Sequence, residues 1–463
     1  MKAVQQGIRF DAELIQRYDR SGPRYTSYPP ATQFDDAFGP ERYAEIARGT
    51  NTSGSPLSLY IHIPFCDTVC FYCGCNKVVT KDRSRAAPYL ERVASELRQQ
   101  AELFDDDRRV EQLHWGGGTP TFISHEEMGA LMGSIGEWFE LQGDDQGEYS
   151  IEIDPREADA ETIALLRELG FNRLSLGVQD FDPKVQRAVN RLQGEAETIG
   201  VMQAARSAGF RSISVDLIYG LPLQSVESFG STVDKVIAAR PDRLSVFNYA
   251  HLPELFKPQR RINPEELPSP AEKLGILKQT IDQLTEAGYV YIGMDHFALP
   301  DDELAVAQRN RTLYRNFQGY STHADCDLIG IGSTSIGMVG DCYAQNLRTL
   351  DEYYAALDAG RLAVFRGVEL DADDRLRRAV ISGLICHFVL DYADIEARFG
   401  IEFARYFDVE LEELRQMERD DLIRLDDCGI QVTEAGRLLI RNICMVFDRY
   451  LRERNEQRFS RVI

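Results

Sequence analysis

The 463-residue chain carries 52 Lys and Arg against 74 Asp and Glu, a formal net charge of −22, with 43% hydrophobic and 10% aromatic residues. That is apolar material for about three domains, or one large barrel with attachments, and it excludes a disordered chain. The acidic balance excludes a protein that works by covering phosphates with basic side chains, so nucleic acid is not an expected partner. No run approaches the roughly 18 apolar residues of a membrane span. The start, MKAVQQGIRF, lacks the apolar stretch of a signal peptide. A soluble, cytoplasmic protein with no membrane partner is expected.

Residues 1–50 contain SGPRYTSYPP (21–30), a Pro- and Tyr-rich stretch that reads as an extended arm without a core-forming pattern. From 57 to 298, β-branched or aromatic runs alternate with segments of helical period. Strands are predicted at 57–63, 111–115, 149–153, 173–178, 212–217, 243–249 and 289–294, and helices at 84–103, 125–141, 159–169, 195–209, 225–239 and 269–287. Gly170, Gly209 and Gly288 follow helical runs, where a residue free to adopt positive φ ends a helix. Strand then helix, six times over, implies parallel strands with right-handed crossovers. Six units are too few to close a (β/α)8 barrel, so a partial barrel and an open doubly wound sheet both fit. Beyond about 365 the pattern is helical, in 375–390 and 436–454, with a small hairpin and a capped helix start at Thr433 between them.

Several unusual residues fall at or just past predicted strand ends: Pro64 to Cys66, Gly116 to Gly118, Asp154, Gln179, Tyr219, Gly220, Ala250, Asp295 and His296. In parallel α/β folds that edge carries function. The nine cysteines, an odd number, argue against a disulfide framework. Cys326, Cys342, Cys386, Cys428 and Cys444 are scattered and read as small buried apolar residues. Cys66, Cys70, Cys73 and Cys75 instead crowd into HIPFCDTVCFYCGCN (62–76), with spacing C-x3-C-x2-C and one further Cys. Three thiolates on one loop can converge on a single metal centre. Structural zinc usually takes four protein ligands, commonly as two separated pairs, and no second CxxC or HxxxH pair is present. An iron-sulfur cluster of four irons held by three cysteines would leave one iron open to a substrate or cofactor.

That spacing, with Tyr72 before the last cysteine, resembles the defining motif of the radical S-adenosylmethionine superfamily, and WGGGTP (115–120) is similar to its Gly-rich motif after the second strand. Glycines there let a backbone carbonyl approach the cofactor's amino group. The likeness sharpens in SGPRYTSYP (21–29), CGCNK (73–77), EIDPRE (152–157), FNRLSLGVQDF (171–181), DLIYGLP (216–222), GMDHFA (293–298), GDCYAQN (340–346) and GIQVTEAGRLLIRNICMVFD (429–448). These resemble the oxygen-independent coproporphyrinogen III oxidase family through nearly the whole chain.

The resemblance implies an α/β fold: a partial (β/α)6 TIM-like barrel with an N-terminal arm and a mostly α C-terminal domain. The divisions expected are an arm at 1–50, the radical SAM partial barrel at 51–300, a barrel extension and connector at 301–364 and the helical domain at 365–463. It further implies a 4Fe-4S cluster on Cys66, Cys70 and Cys73, with Cys75 in the motif but not a ligand. Tyr60, Tyr72, Gly117, Gly118, Thr119, Glu152, Gln179, Arg191, Asp216, Ala250 and Ile336 match positions that bind S-adenosylmethionine, two molecules of it in the family. The implied reaction is anaerobic oxidative decarboxylation of two propionates of coproporphyrinogen III to vinyl groups by a deoxyadenosyl radical, giving protoporphyrinogen IX.

An unidentified low-potential electron donor and a monomeric state go with that reading. The substrate carries four carboxylates, so recognition by a chain of charge −22 must be local, and Arg24, Arg309, Arg311 and Arg315 are candidates. The arm at 24–29 and the C-terminal domain are candidates for covering the site. The alternative is the sister family of haem-binding chaperones without decarboxylase activity, which typically lacks the RYTSYP arm present here at 24–29.

Overall fold

A computed structural model describes residues 7–143 and 145–453 and divides into two units by contact. One is Phe34–Ile276 with Asp325–Glu369; the other comprises Leu277–Ala324 and the described residues of 1–33 and 370–463. The units interleave along the chain, so no single cut separates them.

In the larger unit the six predicted strands form as β1 (Leu57–Ile63), β2 (Val110–Gly117), β3 (Glu148–Ile153), β4 (Arg173–Gln179), β5 (Ser212–Tyr219) and β6 (Arg243–Asn248). They lie side by side in chain order and each pairs in parallel with the next. The helices that return the chain are α1 (Ala86–Ala101), α2 (His125–Trp138), α3 (Ala160–Glu168), α4 (Glu195–Ala208) and α5 (Val226–Ala239), while α6 (Pro270–Glu286) is divided between the two units after Ile276. Ser124 opens α2 with a reciprocal capping box to Glu127. Gly209 closes α4 at φ 84°, and Gly170 and Gly288 are also left-handed, as predicted.

The sheet does not close into a ring. Beyond β1 it continues through β7 (Asp327–Ile331), parallel to β1, then antiparallel through β8 (Ile336–Val339), β9 (Cys342–Asn346) and β10 (Val364–Glu369). These four strands were not predicted. They are short and glycine-punctuated, and at Gly330 and Gly337 an added Cβ would strike the opposite backbone at 2.9 Å and 2.7 Å, so their pairing shows in no side-chain alternation.

The seventh predicted strand also differs from a parallel continuation. Val290–Gly293 turns through Met294 and Asp295, both at positive φ, and pairs antiparallel with His296–Ala298. In this smaller unit the SGPRYTSYPP stretch is no coreless arm: Tyr25 and Tyr28 are buried to 4% and 2% exposure. Tyr25 donates to Asp448 at 3.0 Å, and the Tyr28 hydroxyl accepts from the Arg449 amide at 3.1 Å. The sequence reading missed this because the partners lie about 420 positions away. The predicted hairpin forms, Ile423–Asp426 with Gly429–Val432, and Val389–Asp391 adds a third strand. The helix expected over 436–454 is corrected to Ile440–Val446 and Arg449–Glu453, with turns following Thr433 and residue 454 outside the described residues.

A buried carboxylate ties α1 to the β7–β9 region. Glu96 on α1 accepts from the Gly332 amide at 2.7 Å, the Tyr353 hydroxyl at 2.6 Å and the Asn346 side chain at 2.6 Å. Burial pushes its carboxyl up to about 7, against the three donors. The folded chain therefore holds this proton where the unfolded chain, at an ordinary 4.5, has lost its own. Its contribution to stability is fullest below that lower value and falls as pH rises to about 7. Chemical denaturation should show wild type losing ground to Glu96→Gln between pH 5 and pH 8; a pH-independent difference would contradict the assignment.

Candidate functional site

The cysteine loop leaves β1 through Pro64 and a two-residue strand, Phe65–Cys66, paired with Val78–Val79. Its far side is fastened from several directions. The Phe71 amide donates to the Val189 carbonyl at 2.9 Å, Asn190 donates to the Val69 carbonyl at 2.8 Å, and Gln259 donates to the Tyr72 carbonyl at 3.0 Å. Phe71 and Tyr72 pack on an apolar group of Val185, Val189, Leu221, Tyr249 and Ile262. The aromatic residues of the motif thus anchor the loop while its thiols face the other way.

Cys66, Cys70 and Cys73 line one cavity of about 260 Å³ at the C-terminal edge of the sheet, and all the cysteines among the described residues are free thiols. Tyr72, Gly117, Gly118, Thr119, Glu152, Gln179, Arg191 and Asp216 line it as well. Cys75 also borders it, its amide donating to the Cys73 sulfur at 3.4 Å. Tyr60, Ala250 and Ile336 are placed differently. Tyr60 on β1 stacks on His114 at 5.7 Å and bonds His62 at 3.0 Å, Ala250 follows β6, and Ile336 opens β8.

Charge here is arranged around Cys70. Arg191 reaches its sulfur at 3.5 Å and donates to Asp154 at 2.8 Å; Arg156 donates to the same Asp154 oxygen at 2.6 Å. Burial works against the Asp154 charge, but the two guanidiniums prevail and hold its carboxyl below the ordinary range. Cys66 is pushed up to about 11 by burial, with Thr119 donating to its sulfur at 3.6 Å. Cys73 moves down, through its hydrogen bond with Cys75 and the nearby Lys77.

Opposite the thiols, the half-exposed Glu152 accepts from the Gly117 amide at 3.0 Å and contacts His114 at 3.4 Å, which favours its ionised form against desolvation. Asp216 behaves otherwise: burial pushes its carboxyl up to about 6, with Ser175 donating at 3.3 Å. Gln179, at φ 66°, carries a buried Oε1 with no hydrogen-bond partner among the described residues. A left-handed, non-glycine residue with an orphaned acceptor at the rim of a cavity is held for something the chain does not itself supply. Three thiols converging beside two cations, together with this acceptor, fit a thiolate-held cluster and a polar cofactor.

The glycine run has a different immediate cause from the one expected. A Cβ on Gly118 would lie 2.6 Å from the Phe65 carbonyl oxygen, and one on Gly117, at φ 115°, 2.6 Å from the His62 ring. The run lets β2 close on the cysteine loop, with Gly118 donating to Ile63 at 2.8 Å and Thr119 to Phe65 at 2.7 Å. Sequence reasoning missed Arg156 as part of the site; its signal was only its place two residues after a strand-end aspartate.

Within the smaller unit, the four candidate arginines separate into two kinds. Arg315 is buried, lies 4.8 Å from the Tyr320 ring centroid, and its Nε and Nη1 have no hydrogen-bond partner among the described residues. Arg24 pairs with Asp295 at 2.6 Å. Arg441, also buried, donates to the Pro23 carbonyl at 3.1 Å. Burial, then Arg315, pushes His296 down to about 3, so it stays neutral and adds no charge. Arg309 and Arg311 are exposed.

Residues 60–236 match the radical SAM superfamily and 370–439 the HemN C-terminal domain. The oxygen-independent coproporphyrinogen III oxidase of Pseudomonas aeruginosa is 58% identical over 456 residues, covering 98% of this chain and 99% of the relative. That of Escherichia coli is 52% identical, covering 100% of both. The solved coproporphyrinogen III oxidase (HemN) from Escherichia coli, described as a radical SAM enzyme, superimposes with a TM-score of 0.92 at 50% identity, covering 96% of this chain and 100% of that one.

The Asp154–Arg191 pair is nearly dry, with side-chain exposures of 9% and 8%. Arg191→Leu, which leaves Asp154 with Arg156 alone, should cost about 3 kcal/mol of unfolding free energy, measured by chemical denaturation. An unchanged midpoint would contradict the pairing.

Proposed function

The chain belongs to the oxygen-independent coproporphyrinogen III oxidase family of radical SAM oxidoreductases, and on that premise we propose how its own residues serve the reaction. The substrate is coproporphyrinogen III; each of two propionate side chains loses a hydrogen atom, its carboxylate as carbon dioxide and one electron to an external acceptor, so that a vinyl group remains and protoporphyrinogen IX results. When bound, a 4Fe-4S cluster and S-adenosylmethionine would supply the one-electron chemistry that removes a hydrogen atom from the propionate β-carbon. The observation that carries this reading is the meeting of Cys66, Cys70 and Cys73 with Glu152, Gln179, Arg191 and Asp216 on one cavity.

Cys66, Cys70 and Cys73 hold the cluster. Arg191 and Arg156 offset the negative charge of the thiolates, and Asp154 keeps both cations pointed at Cys70. Gln179, Glu152 and Asp216, with Tyr60, Tyr72, Gly117, Gly118, Thr119, Ala250 and Ile336, bind S-adenosylmethionine, two molecules in all. Gln179 offers its unpartnered oxygen to a donor, and the ionised Glu152 suits a cationic one. Arg315 and Arg24 bind substrate carboxylates: Arg315 brings N–H groups without a partner among the described residues, and Arg24 is partly exposed beside Asp295. An external low-potential electron donor, a cytoplasmic setting and a monomeric chain complete the reading; no helix among the described residues is long and apolar enough to cross a membrane.

Anaerobically reconstituted protein should bind about four irons per chain and form vinyl product from coproporphyrinogen III with S-adenosylmethionine and a reductant. Cys66→Ser, Cys70→Ser and Cys73→Ser should each lose iron and activity; iron retained in Cys70→Ser would require another ligand set. Stoichiometric haem binding with no vinyl product would instead support a chaperone. Arg315→Ala should raise KM for the porphyrinogen about tenfold with kcat little changed, since a charged hydrogen bond contributes about 1.5 kcal/mol. An unchanged KM would remove Arg315 from substrate binding.

A further inference from the structure

The smaller unit contains a cavity of about 710 Å³ that shares no lining residue with the cysteine site. It lies between the ends of the helices Glu303–Asn310 and Ala372–His387 and the three-stranded sheet Val389–Asp391, Gly429–Val432 and Ile423–Asp426. Its size falls within the roughly 300–1,000 Å³ of small-molecule sites. One part of the wall is apolar, with Phe388, Leu390, Ile430 and Val432 buried, and the rest is mostly polar.

Set into that wall is Arg437, 4% exposed, its guanidinium 4.9 Å from the Phe388 ring centroid. Its Nε is buried without a hydrogen-bond partner among the described residues. Arg309 and Arg311, both exposed, border the same cavity, so two further guanidiniums stand where solvent reaches them. The carboxylates that border it, Asp391 and Asp426, are engaged by backbone amides: Ala393 at 3.0 Å, and Cys428 and Gly429 at 2.8 Å and 2.9 Å. A structural role for Arg309 and Arg311 at a helix C-terminus is ordinary. A buried arginine with an orphaned Nε–H on a cavity wall is not: the Phe388 ring and the Glu434 charge act on the guanidinium, but neither satisfies that N–H.

One buried and two exposed guanidiniums around an apolar wall suit a molecule with carboxylates on arms around an apolar body. We propose that this cavity is a second ligand site and that it takes a propionate-bearing tetrapyrrole, in addition to the one processed at the cysteine loop. The choice of ligand rests on the activity proposed above; the polycarboxylate chemistry rests on the cavity itself. Arg437 takes one carboxylate at the wall, stacked against Phe388, while Arg309 and Arg311 meet others at the exposed side.

Cys428, exposed on the hairpin turn rather than buried as its scattered position suggested, lines the cavity and gives a local readout. The full chain is alkylated anaerobically with N-ethylmaleimide at increasing concentrations of coproporphyrin III, the non-reacting oxidised form, and labelling of Cys428 is followed by peptide mass spectrometry. Porphyrin should slow labelling of Cys428, and the concentration giving half the effect should rise about tenfold in Arg437→Gln and in Arg311→Glu, as loss of one charge-assisted contact predicts. Arg311 is exposed, so its variant keeps the test sound if Arg437→Gln fails to fold. Cys428 labelled at the same rate with and without porphyrin, or equally protected in Arg311→Glu, overturns the site. Vinyl formation assayed in the same wild-type preparation separates the two readings: product formed without protection of Cys428 refutes the cavity alone.

Discussion

Parallel pairing is the constraint on which the larger unit depends. Two consecutive strands can run the same way only if the chain returns along the sheet between them, and here a helix does so each time. The C-terminal ends of β1 to β4 therefore share one edge, whatever their individual sequences. The cysteine loop follows β1, the glycine run ends β2, Asp154 follows β3 and Gln179 ends β4. Residues more than 120 positions apart, such as Cys70 and Arg191, come within 3.5 Å because of that geometry. The motif supplies thiols, and the topology supplies their surroundings.

The larger unit treats four partly or fully desolvated acids in different ways. Asp154 faces two guanidiniums and stays ionised. Glu152 is kept charged by His114 and a backbone amide. Asp216 and Glu96 meet only neutral donors and are drawn toward the protonated form. Burial alone would push all four up, so the partner decides the outcome. A chain of charge −22 can likewise hold a local cluster of cations: Arg24, Arg315 and Arg441 gather with Asp295 as their acidic neighbour.

Legibility from sequence followed contact range. The six strands and the helices between them were readable because their signals are local: period, caps, and glycines such as Gly209 that end helices. The cysteine spacing was readable because three ligands on one loop form a local pattern. Tyr25 and Tyr28 were misread because their burial depends on Asp448 and Arg449, about 420 residues on. Strands β7 to β10 were missed because glycine and close backbone approach, rather than alternating side chains, hold them together. The helix expected after Thr433 starts later because the residues that follow form turns against Leu422, where a Cβ on Gly436 would lie 1.9 Å from the Leu422 carbonyl oxygen.

By itself the sequence determined the parallel β/α order of the larger unit and the cysteine loop, since both follow from residue type and spacing over short distances. Its likeness to a family pointed to the chemistry that loop serves. Only the tertiary structure decided which charges meet. It set Arg156 and Arg191 on one aspartate beside Cys70, left Gln179 and Arg315 with unanswered polar atoms, and separated Arg315 from Arg309 and Arg311 by burial. An electrostatic environment is a sum over neighbours in space, and one strand order or helix end changes which neighbours those are.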